Sequence, residues 1–395
     1  MRRRLRPHAY READPPEQAA DRENWLYKIR AFPHRHFPRG ARIRAFEQVR
    51  RMRSLIETSA SSSSDSALHW TLVGPQPTFD GYAGRVTSIA IDPKDQNTIY
   101  IGGAEGGVWK STDGGATWKP LTDFEPALAI GSLAIDPSDS SVVYAGTGEQ
   151  NFNADAYAGA GILKTTDGGS TWTVLGSDVF DQLGIGSLAI EPGHPDVVLA
   201  ASDGGVYRSA DSGATWQNVL AGPATCVLFD PTNGDSYAAV GGAFPTPSTG
   251  VYKSLDGGVT WKPSNGSASN ALPPSSNSGR IALAISPLSH YIYAGVADLS
   301  GVSSLSFYKS TDGASSWSRL GGTAYCPRQC WYNNALAVNP ANSQMLVGGG
   351  VDLLYSADGG VTWYAGVHQQ RVHVDQHVVA FTADGSRVLV GNDGG

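Results

Sequence analysis

The sequence predicts an all-β protein that folds as a β-propeller, and three observations support this fold class. A Ser/Thr-x-Asp-x-Gly-x-Thr-Trp motif recurs six times, with 44 to 56 residues between successive Asp residues. A short apolar segment that ends in Pro, such as Val86–Pro93, precedes each copy at a similar distance. Gly and Pro are abundant, at 48 and 23 of 395 residues, and charged residues make up only 16%. A turn-rich chain with a repeat of this length is typical of four-stranded propeller blades.

Each repeat divides into four predicted strands. In the first repeat, strand a lies within Val86–Pro93, strand b at Thr98–Ile101, strand c at Gly107–Lys110 and strand d at Thr117–Leu121. The Asp motif then forms the turn between strands c and d. In such a blade, the a–b turn lies on the same face as the Asp motif, and the b–c and d–a connections lie on the opposite face.

The last repeat determines the predicted number of blades. A seventh copy of strand a begins at His377, so we predict seven four-stranded blades. His69–Leu72 resembles an isolated strand d that completes the last blade and removes an open sheet edge. The sequence stops at Gly395, within a turn that leads into strand c in other repeats. We therefore expect a propeller that is incomplete at its C-terminus.

The chain divides into three predicted regions. Residues 1–57 form a basic arm of two short helices that pack on the body, because one apolar stripe recurs there at helical spacing. The stripe comprises Ile43, Phe46, Val49, Met52 and Ile56. Residues 58–67 are a Ser-rich linker, and residues 68–395 form the propeller.

Charge and composition exclude several classes of function. Residues 1–53 carry 15 Lys and Arg against 6 Asp and Glu, although the whole chain has a net charge of −7. The remainder is therefore acidic and unsuited to nucleic acid, which requires a positive field. No apolar run is long enough to span a membrane. We expect no cofactor, a secreted, cell-surface or periplasmic location, and a polysaccharide or an extracellular protein as partner; no signal peptide is visible.

The Asp motif is interpreted as structural. Its Asp accepts hydrogen bonds from its own turn, its glycines permit left-handed backbone, and its Trp is buried between blades. Six copies spread around a ring cannot all serve one active site. The residues concerned are Asp113, Trp118, Asp167, Trp172, Asp211, Trp216, Asp256, Trp261, Asp312, Trp317, Asp358 and Trp363.

We expect a ligand on the opposite face, where the long b–c and d–a loops lie. Polar residues near the starts of the inner strands and in these loops converge at the mouth of the central channel. The candidate ligand-binding residues are Arg85, Glu105, Arg280, Tyr332, Asn333, His373 and His377, and the candidate catalytic carboxylates are Glu149, Asp155, Asp375 and Asp393. An equally good interpretation makes these side chains hydrogen-bonded plugs of a solvated channel.

Neither the histidines nor the cysteines predict a metal site. In an extended strand His373 and His377 lie about 13 Å apart, too far to share one ion. An Asp375–His377 pair that orients the channel mouth is the better interpretation. Cys326 and Cys330 bracket a short loop and are a candidate disulfide.

The repeated Asp motif resembles the Asp-box (BNR) propeller families. These include xyloglucanase-type glycoside hydrolases, the sortilin (Vps10) N-terminal propeller, sialidases and photosystem assembly factors. The resemblance covers residues 69–395 and implies the fold more strongly than the activity. Xyloglucanase-type enzymes carry an Asp just before an x-Gly-Gly turn of the first blade, where this sequence has Ala104 beside Glu105.

The sequence therefore favours an extracellular binding or scaffold propeller that holds a glycan or peptide. A glycoside hydrolase of the xyloglucanase or β-glucanase type is the alternative. Such an enzyme needs two carboxylates, about 5 Å apart in retaining enzymes and about 6.5–9.5 Å apart in inverting ones. A sortilin-like factor that binds a protein partner is the second alternative.

Overall fold

The structure is a computed structural model that describes residues 25, 28–29, 31–32, 36, 38–60, 84–152, 156–299, 304–326, 329–365 and 372–395. Six antiparallel sheets of four strands follow one another along the chain as blades 1 to 6. Within each blade, every strand pairs with the next strand in sequence.

The first three blades share a short outermost strand that follows the Asp motif. Their strands are β1 (Val86–Ile91), β2 (Ile99–Gly103), β3 (Gly107–Ser111) and β4 (Lys119–Pro120); β5 (Ile130–Ile135), β6 (Val143–Thr147), β7 (Ile162–Thr165) and β8 (Thr173–Leu175); and β9 (Ile185–Glu191), β10 (His194–Ser202), β11 (Gly205–Ser209) and β12 (Gln217–Leu220).

Blades 4 to 6 have the same order, with a small hairpin inserted after blade 4. Blade 4 consists of β13 (Ala224–Phe229), β14 (Ser236–Val240), β15 (Gly250–Ser254) and β16 (Lys262–Pro263), and the hairpin of β17 (Gly266–Ser267) and β18 (Asn270–Ala271). A 3₁₀ turn, Ser275–Asn277, precedes blade 5. Blades 5 and 6 consist of β19 (Ser278–Ile285), β20 (Ile292–Asp298), β21 (Ser304–Ser310) and β22 (Ser318–Tyr325); and β23 (Ala335–Asn339), β24 (Asn342–Gly349), β25 (Leu353–Ser356) and β26 (Tyr364–Ala365).

The inner strands close into a ring around a central channel. The first strand of each blade lies beside the first strand of the next blade. The ring is completed by β27 (Gln376–Phe381), which contacts both β23 and β1 and pairs with β28 (Val388–Asn392). Every inner strand therefore has two neighbours.

The predicted number of blades is wrong. We expected seven four-stranded blades, and the structure has six, because the seventh repeat forms only the two-stranded sheet β27–β28. In that repeat β27 pairs with β28, and no further strand among the described residues joins this sheet. The predicted strand His69–Leu72 lies outside the described residues.

The apolar cores lie between neighbouring blades. Tyr100 and Val108 of blade 1 pack with Ile130 and Val143 of blade 2, and Trp172 of blade 2 packs against the same cluster. The same arrangement recurs at the next interfaces, where the tryptophans of successive turns cover the cluster shared with the preceding blade; these are Trp216, Trp261, Trp317 and Trp363. Each blade is therefore held mainly by burial of apolar surface against its predecessor.

The Asp turns are closed by their own side chains. In the first turn, Asp113 accepts hydrogen bonds from the backbone N–H of Thr117 at 2.9 Å and from its hydroxyl at 2.6 Å. The Ser111 hydroxyl donates to Asp113 and accepts from the Gly115 N–H at 2.8 Å. In the fifth copy, Ala314 holds the left-handed backbone with φ of 66° that glycine holds in the other turns. These bonds satisfy polar groups of the turn without any ligand.

Hydrogen bonds place the Asp turns on the a–b face of the propeller. The Gly114 N–H donates to the Asn97 carbonyl in the a–b turn of the same blade, at 3.0 Å. The second turn also contacts the preceding blade, since the Tyr100 hydroxyl and the Lys110 ammonium of blade 1 both donate to the carbonyl of Gly168 in blade 2. The b–c and d–a loops are left on the opposite face, which we call the loop face.

The N-terminal arm contains the helix α1 (Ala41–Ala60), which extends into the segment predicted as a linker. The Gly40 N–H donates to Asp181 at 2.7 Å, and the Arg53 guanidinium lies 3.7 Å from the centre of the Phe124 ring. Both partners belong to d–a connections, so the helix lies on the loop face. Val49 and Met52 of the predicted apolar stripe are more than half exposed. Among the described residues, no helix is long and apolar enough to cross a bilayer.

Trp317 tests the packing between blades. It is 1% exposed, and its indole N–H donates to the Ser264 carbonyl at 2.9 Å. We expect Trp317→Ala to lower the free energy of unfolding by about 3–5 kcal/mol, because it leaves a cavity in a closed interface. Urea unfolding followed by far-UV circular dichroism measures this loss. The matched variant Trp118→Ala, at a partly exposed tryptophan, should lose less; equal losses would contradict the packing argument.

The Asp turns predict a component of acid unfolding. Hydrogen bonds from Thr215 and Thr260 lower the pKa of Asp211 and Asp256 from 3.8 to about 2. Because these pKa values are depressed in the fold, the stabilisation is present above pH 3.8 and is lost as the pH falls towards 2. The double variant Asp211→Asn/Asp256→Asn should melt at a lower temperature at neutral pH and lose less on acidification. Thermal melts across this pH range measure both effects. A melting temperature of the double variant that depends on pH as steeply as that of the wild type would contradict the prediction.

Candidate functional site

Polar side chains from four separated parts of the ring meet at the loop face. Arg85 precedes β1, Glu149 follows β6, Tyr332 precedes β23, and His377 lies in β27 with Asp393 just after β28. The structure thus brings together residues that are up to 308 positions apart in the sequence. We call this group, with Asn151 and Arg280, the mouth network.

Two members of the network lie at β-bulges. The pairing of β19 with β20 shifts register between Ser278 and Ile281, and that of β27 with β28 shifts between Gln376 and Val378. Arg280 and His377 occupy these two irregular positions. A bulge turns a side chain away from the normal alternation of a strand. The local irregularity therefore accounts for large polar side chains at the inner edge of the ring.

Arg85 holds one half of the network together. Its guanidinium lies 3.0 Å from Glu149 Oε1 and donates to Glu149 Oε2 at 3.2 Å. Glu149 Oε1 also accepts from the amide of Asn151 at 2.8 Å, and Asn151 in turn accepts from Arg280 at 2.8 Å. Because the Glu149 side chain is only 1% exposed, it is bound within the protein rather than presented to solvent.

Asp393 is the centre of the other half. Its Oδ1 accepts hydrogen bonds from the Tyr332 hydroxyl and from Nε2 of His377, both at 2.7 Å. Arg85 donates to the Tyr332 hydroxyl at 2.6 Å and lies 4.0 Å from Asp393. The Tyr332 and His377 rings meet edge to face, with centroids 4.6 Å apart. The Asp393 side chain is 27% exposed, so a ligand can reach it from the mouth.

Burial and hydrogen bonding set the charges of these groups. Burial opposes the ionisation of Asp393, but the hydrogen bonds from His377 and Tyr332 and the charge of Arg85 outweigh it and lower its pKa. Burial lowers the pKa of His377, so its imidazole is neutral at pH 7. Burial also raises the pKa of Tyr332, whose hydroxyl stays protonated and donates to Asp393. The network therefore contains an ionised Asp beside a neutral His.

Asp375 lies beside this network in a different environment. Its Oδ1 accepts hydrogen bonds from Asn333 at 2.6 Å and from Gln329 at 2.7 Å. Burial raises the pKa of Asp375, and the charge of Asp393 adds to the effect. The two carboxyl groups thus have pKa values that are shifted in opposite directions.

A disulfide between Cys326 and Cys330 shapes the loop that carries Tyr332 and Asn333. Their Cα atoms are 5.2 Å apart. The backbone N–H groups of Tyr332 and Asn333 both donate to the carbonyl of Gln329, which lies inside the disulfide-closed loop. The covalent link therefore limits the positions that these two side chains can take.

Two candidates, Glu105 and His373, lie apart from the network. Glu105 is exposed in the turn between β2 and β3. His373 lies near Asp375, with its Nδ1 2.9 Å from the Val374 carbonyl oxygen. Asp155 lies outside the described residues. Among the residues that the structure describes, no three His, Cys, Asp or Glu side chains are grouped to hold a metal ion.

Sequence reasoning missed Asn151, Gln150 and Gln329. Asn151 connects Glu149 to Arg280, and Gln329 holds Asp375. The available signal was the run Glu149-Gln-Asn in a long b–c loop, where three polar side chains precede an aromatic residue. Without the ring closure, nothing in that run indicates that it meets β19.

The comparison with known proteins gives a family and several partial likenesses. A family model described as the DUF6242 beta propeller domain matches residues 133–385. A xyloglucanase from a Paenibacillus species is 29% identical over 261 residues, which cover 62% of this chain and 22% of that protein. The chain thus spans less than a quarter of that relative's length.

Two solved structures share the fold. The GH74 xyloglucanase from Xanthomonas campestris has a TM-score of 0.58 and 21% identity, covering 79% of this chain and 51% of that chain. The structure of YCF48 bound to D1 peptide has a TM-score of 0.53 and 20% identity, and the match covers 84% of this chain and 97% of that chain. The likenesses confirm the predicted propeller and the predicted resemblance to xyloglucanases. The Asp-box and sortilin assignments remain predictions.

His377 provides a direct test of the mouth network. Because the Asp393 carboxylate raises the pKa of His377 against the effect of burial, Asp393→Asn should lower that pKa further. NMR titration of ¹³C-labelled histidine side chains measures it, and the exposed control variant Asp123→Asn should leave it unchanged. An unaltered His377 titration in Asp393→Asn would contradict the network.

Proposed function

This chain belongs to the DUF6242 beta propeller domain family, and we propose that its mouth network binds a polysaccharide of the plant or microbial β-glucan class. The observation that carries the proposal is the continuous hydrogen-bonded path from Glu149 through Arg85 and Tyr332 to Asp393 and His377. The path ends at the loop face, where long connections surround the channel mouth. The xyloglucanase likeness supports a polysaccharide as the ligand.

The chemistry of the network suits a hydroxyl-rich chain. Glu149 and Asp393 already accept hydrogen bonds from other members of the network, so they need no ionic ligand. Sugar hydroxyls both donate and accept, and can use the remaining capacity of the partly exposed Arg85 and Asp393. Trp331, which lies next to Tyr332 and is partly exposed, supplies an apolar face on which a sugar ring can stack. A network that is hydrogen-bonded before the ligand arrives also binds it with little reordering.

An extracellular location agrees with this proposal. A disulfide such as Cys326–Cys330 persists in oxidising compartments and is rare in the cytosol. Structural polysaccharides, the proposed ligands, are also extracellular.

A second candidate function, hydrolysis of the bound chain, is favoured by the opposite pKa shifts of Asp375 and Asp393. Carboxyl pairs whose environments separate their pKa values are typical of acid–base catalysis. In this proposal, the protonated Asp375 donates a proton to the leaving oxygen. The ionised Asp393 activates water or attacks the sugar carbon.

Affinity electrophoresis through gels containing xyloglucan tests binding. We expect wild-type protein to be retarded and Asp393→Asn to bind about tenfold more weakly, because one charge-assisted hydrogen bond is lost. Asp123→Asn is the matched control, since Asp123 is an exposed carboxylate of a d–a connection, outside the network. A wild-type protein that migrates freely through xyloglucan, mixed-linkage glucan and cellulose derivatives would refute polysaccharide binding.

Hydrolysis is tested separately by release of reducing ends from xyloglucan. Asp375→Asn should lower kcat at least about a hundredfold, because the proton donor is lost. The rate should fall as the pH rises through the elevated pKa of Asp375, and fall again at acid pH as Asp393 becomes protonated. Binding without measurable turnover would reject the enzyme and leave the binding function in place.

A further inference from the structure

A cavity of about 200 Å³ lies within the ring of inner strands. It is lined by segments of β1, β5, β9 and β27, together with Gln150, Asn151 and Arg280. Because Asn151, Arg280 and His377 also belong to the mouth network, the cavity adjoins the mouth. At about 30 Å³ per water molecule it has room for six or seven waters, or for one ring-sized organic molecule.

Arg280 brings a buried positive charge to this cavity and makes no direct ion pair, although the charge of Glu149, beyond Asn151, acts on it favourably. It is 9% exposed, and burial lowers its pKa to about 10. Its Nη1 donates to Asn151 and to the Tyr332 carbonyl, whereas Nε and Nη2 make no hydrogen bond to any described residue. Within the described part of the chain, no carboxylate oxygen lies within 4.0 Å of it. Buried charges are normally paired, so this free guanidinium edge indicates a place for an anion.

Two unsatisfied acceptors accompany Arg280 around the cavity. Gln150 Oε1 and His377 Nδ1 are buried and have no hydrogen-bond partner. Nε2 of His377 faces the ionised Asp393 and therefore carries the proton, which leaves Nδ1 as an acceptor. Gly186 makes room for Gln150, since a Cβ at position 186 would lie 2.0 Å from Oε1. The cavity thus requires hydrogen-bond donors as well as a negative charge.

We propose that this cavity binds one small hydroxylated carboxylate of the sugar-acid class. Its carboxylate lies on the Nε–Nη2 edge of Arg280, and its hydroxyls donate to His377 Nδ1 and Gln150 Oε1. A simple anion leaves both acceptors unsatisfied, and a neutral sugar leaves the Nε–Nη2 edge of Arg280 without a directly bonded anion. The site goes beyond the polymer-binding mouth, because the cavity lies inside the ring next to the mouth and takes a single unit.

Isothermal titration calorimetry of the full chain with sodium D-glucuronate tests the site. We expect saturable binding, with D-glucose and sodium acetate each bound at least about tenfold more weakly, since each lacks one of the two recognised groups. Acetate that binds as tightly as glucuronate would overturn the assignment to a sugar acid, as would an absence of glucuronate binding. Xyloglucan retardation is measured on the same protein, so a failure at the mouth is distinguishable from a failure in the cavity.

Two variants distinguish a loss of binding that is specific to the cavity from a loss caused by general damage to the fold. Arg280→Met should abolish glucuronate binding. Because this residue also holds Asn151, we add a second variant, Gly186→Ala, which displaces the Gln150 side chain from its bond to the Ala224 carbonyl and should weaken glucuronate binding about tenfold. The control Asp123→Asn should bind as wild type does. Wild-type affinity in folded Gly186→Ala, verified by circular dichroism, would overturn the assigned role of Gln150 and with it the proposed site.

Discussion

Burial of apolar side chains between neighbouring blades is the interaction on which the rest of this structure depends. Each interface combines the middle strands of one blade with the inner strands and the turn tryptophan of the next, as Tyr100, Ile130 and Trp172 do between blades 1 and 2. The blades are thin sheets that cannot bury their own faces, so they are stable only when stacked. The Asp turns assist by satisfying their own polar groups and by accepting, at backbone carbonyls such as that of Gly168, hydrogen bonds from side chains of the preceding blade.

Because the interfaces between blades and the Asp turns stabilise the fold, the inner edge of the ring can carry polar side chains. The apolar cores lie between blades, so large polar residues at bulged positions of β19 and β27 do not disturb them. Buried together, these residues must satisfy one another, and the resulting network holds an ionised Asp393 next to a neutral His377. Polar atoms of Arg280, Gln150 and His377 that have no hydrogen-bond partner among the described residues lie around the cavity. The proposed polysaccharide and sugar-acid sites are two consequences of this single arrangement.

Much of this architecture could be predicted from local pattern. The Asp motif and the apolar segments before Pro predicted the strand order within each blade, because turn chemistry and alternation are local properties. The number of blades was predicted wrongly, since each copy of strand a was counted as one four-stranded blade, whereas the seventh repeat forms a sheet of two strands. Helical periodicity predicted the arm, but not that Val49 and Met52 stay exposed, because periodicity does not reveal what an apolar stripe packs against.

The sequence by itself determined the repeat, the turns and the face on which the long loops lie, because each of these depends on residues that are close along the chain. Only the tertiary structure decided which polar residues meet. Ring closure brings Arg85 to Asp393. It leaves Glu105 and His373 outside the network, although their positions within the repeats predicted that they would lie at the channel mouth. The physical reason is that hydrogen bonds require atoms within about 3 Å. Whether side chains come that close depends on bulges, loop paths and the number of blades, none of which the repeat specifies.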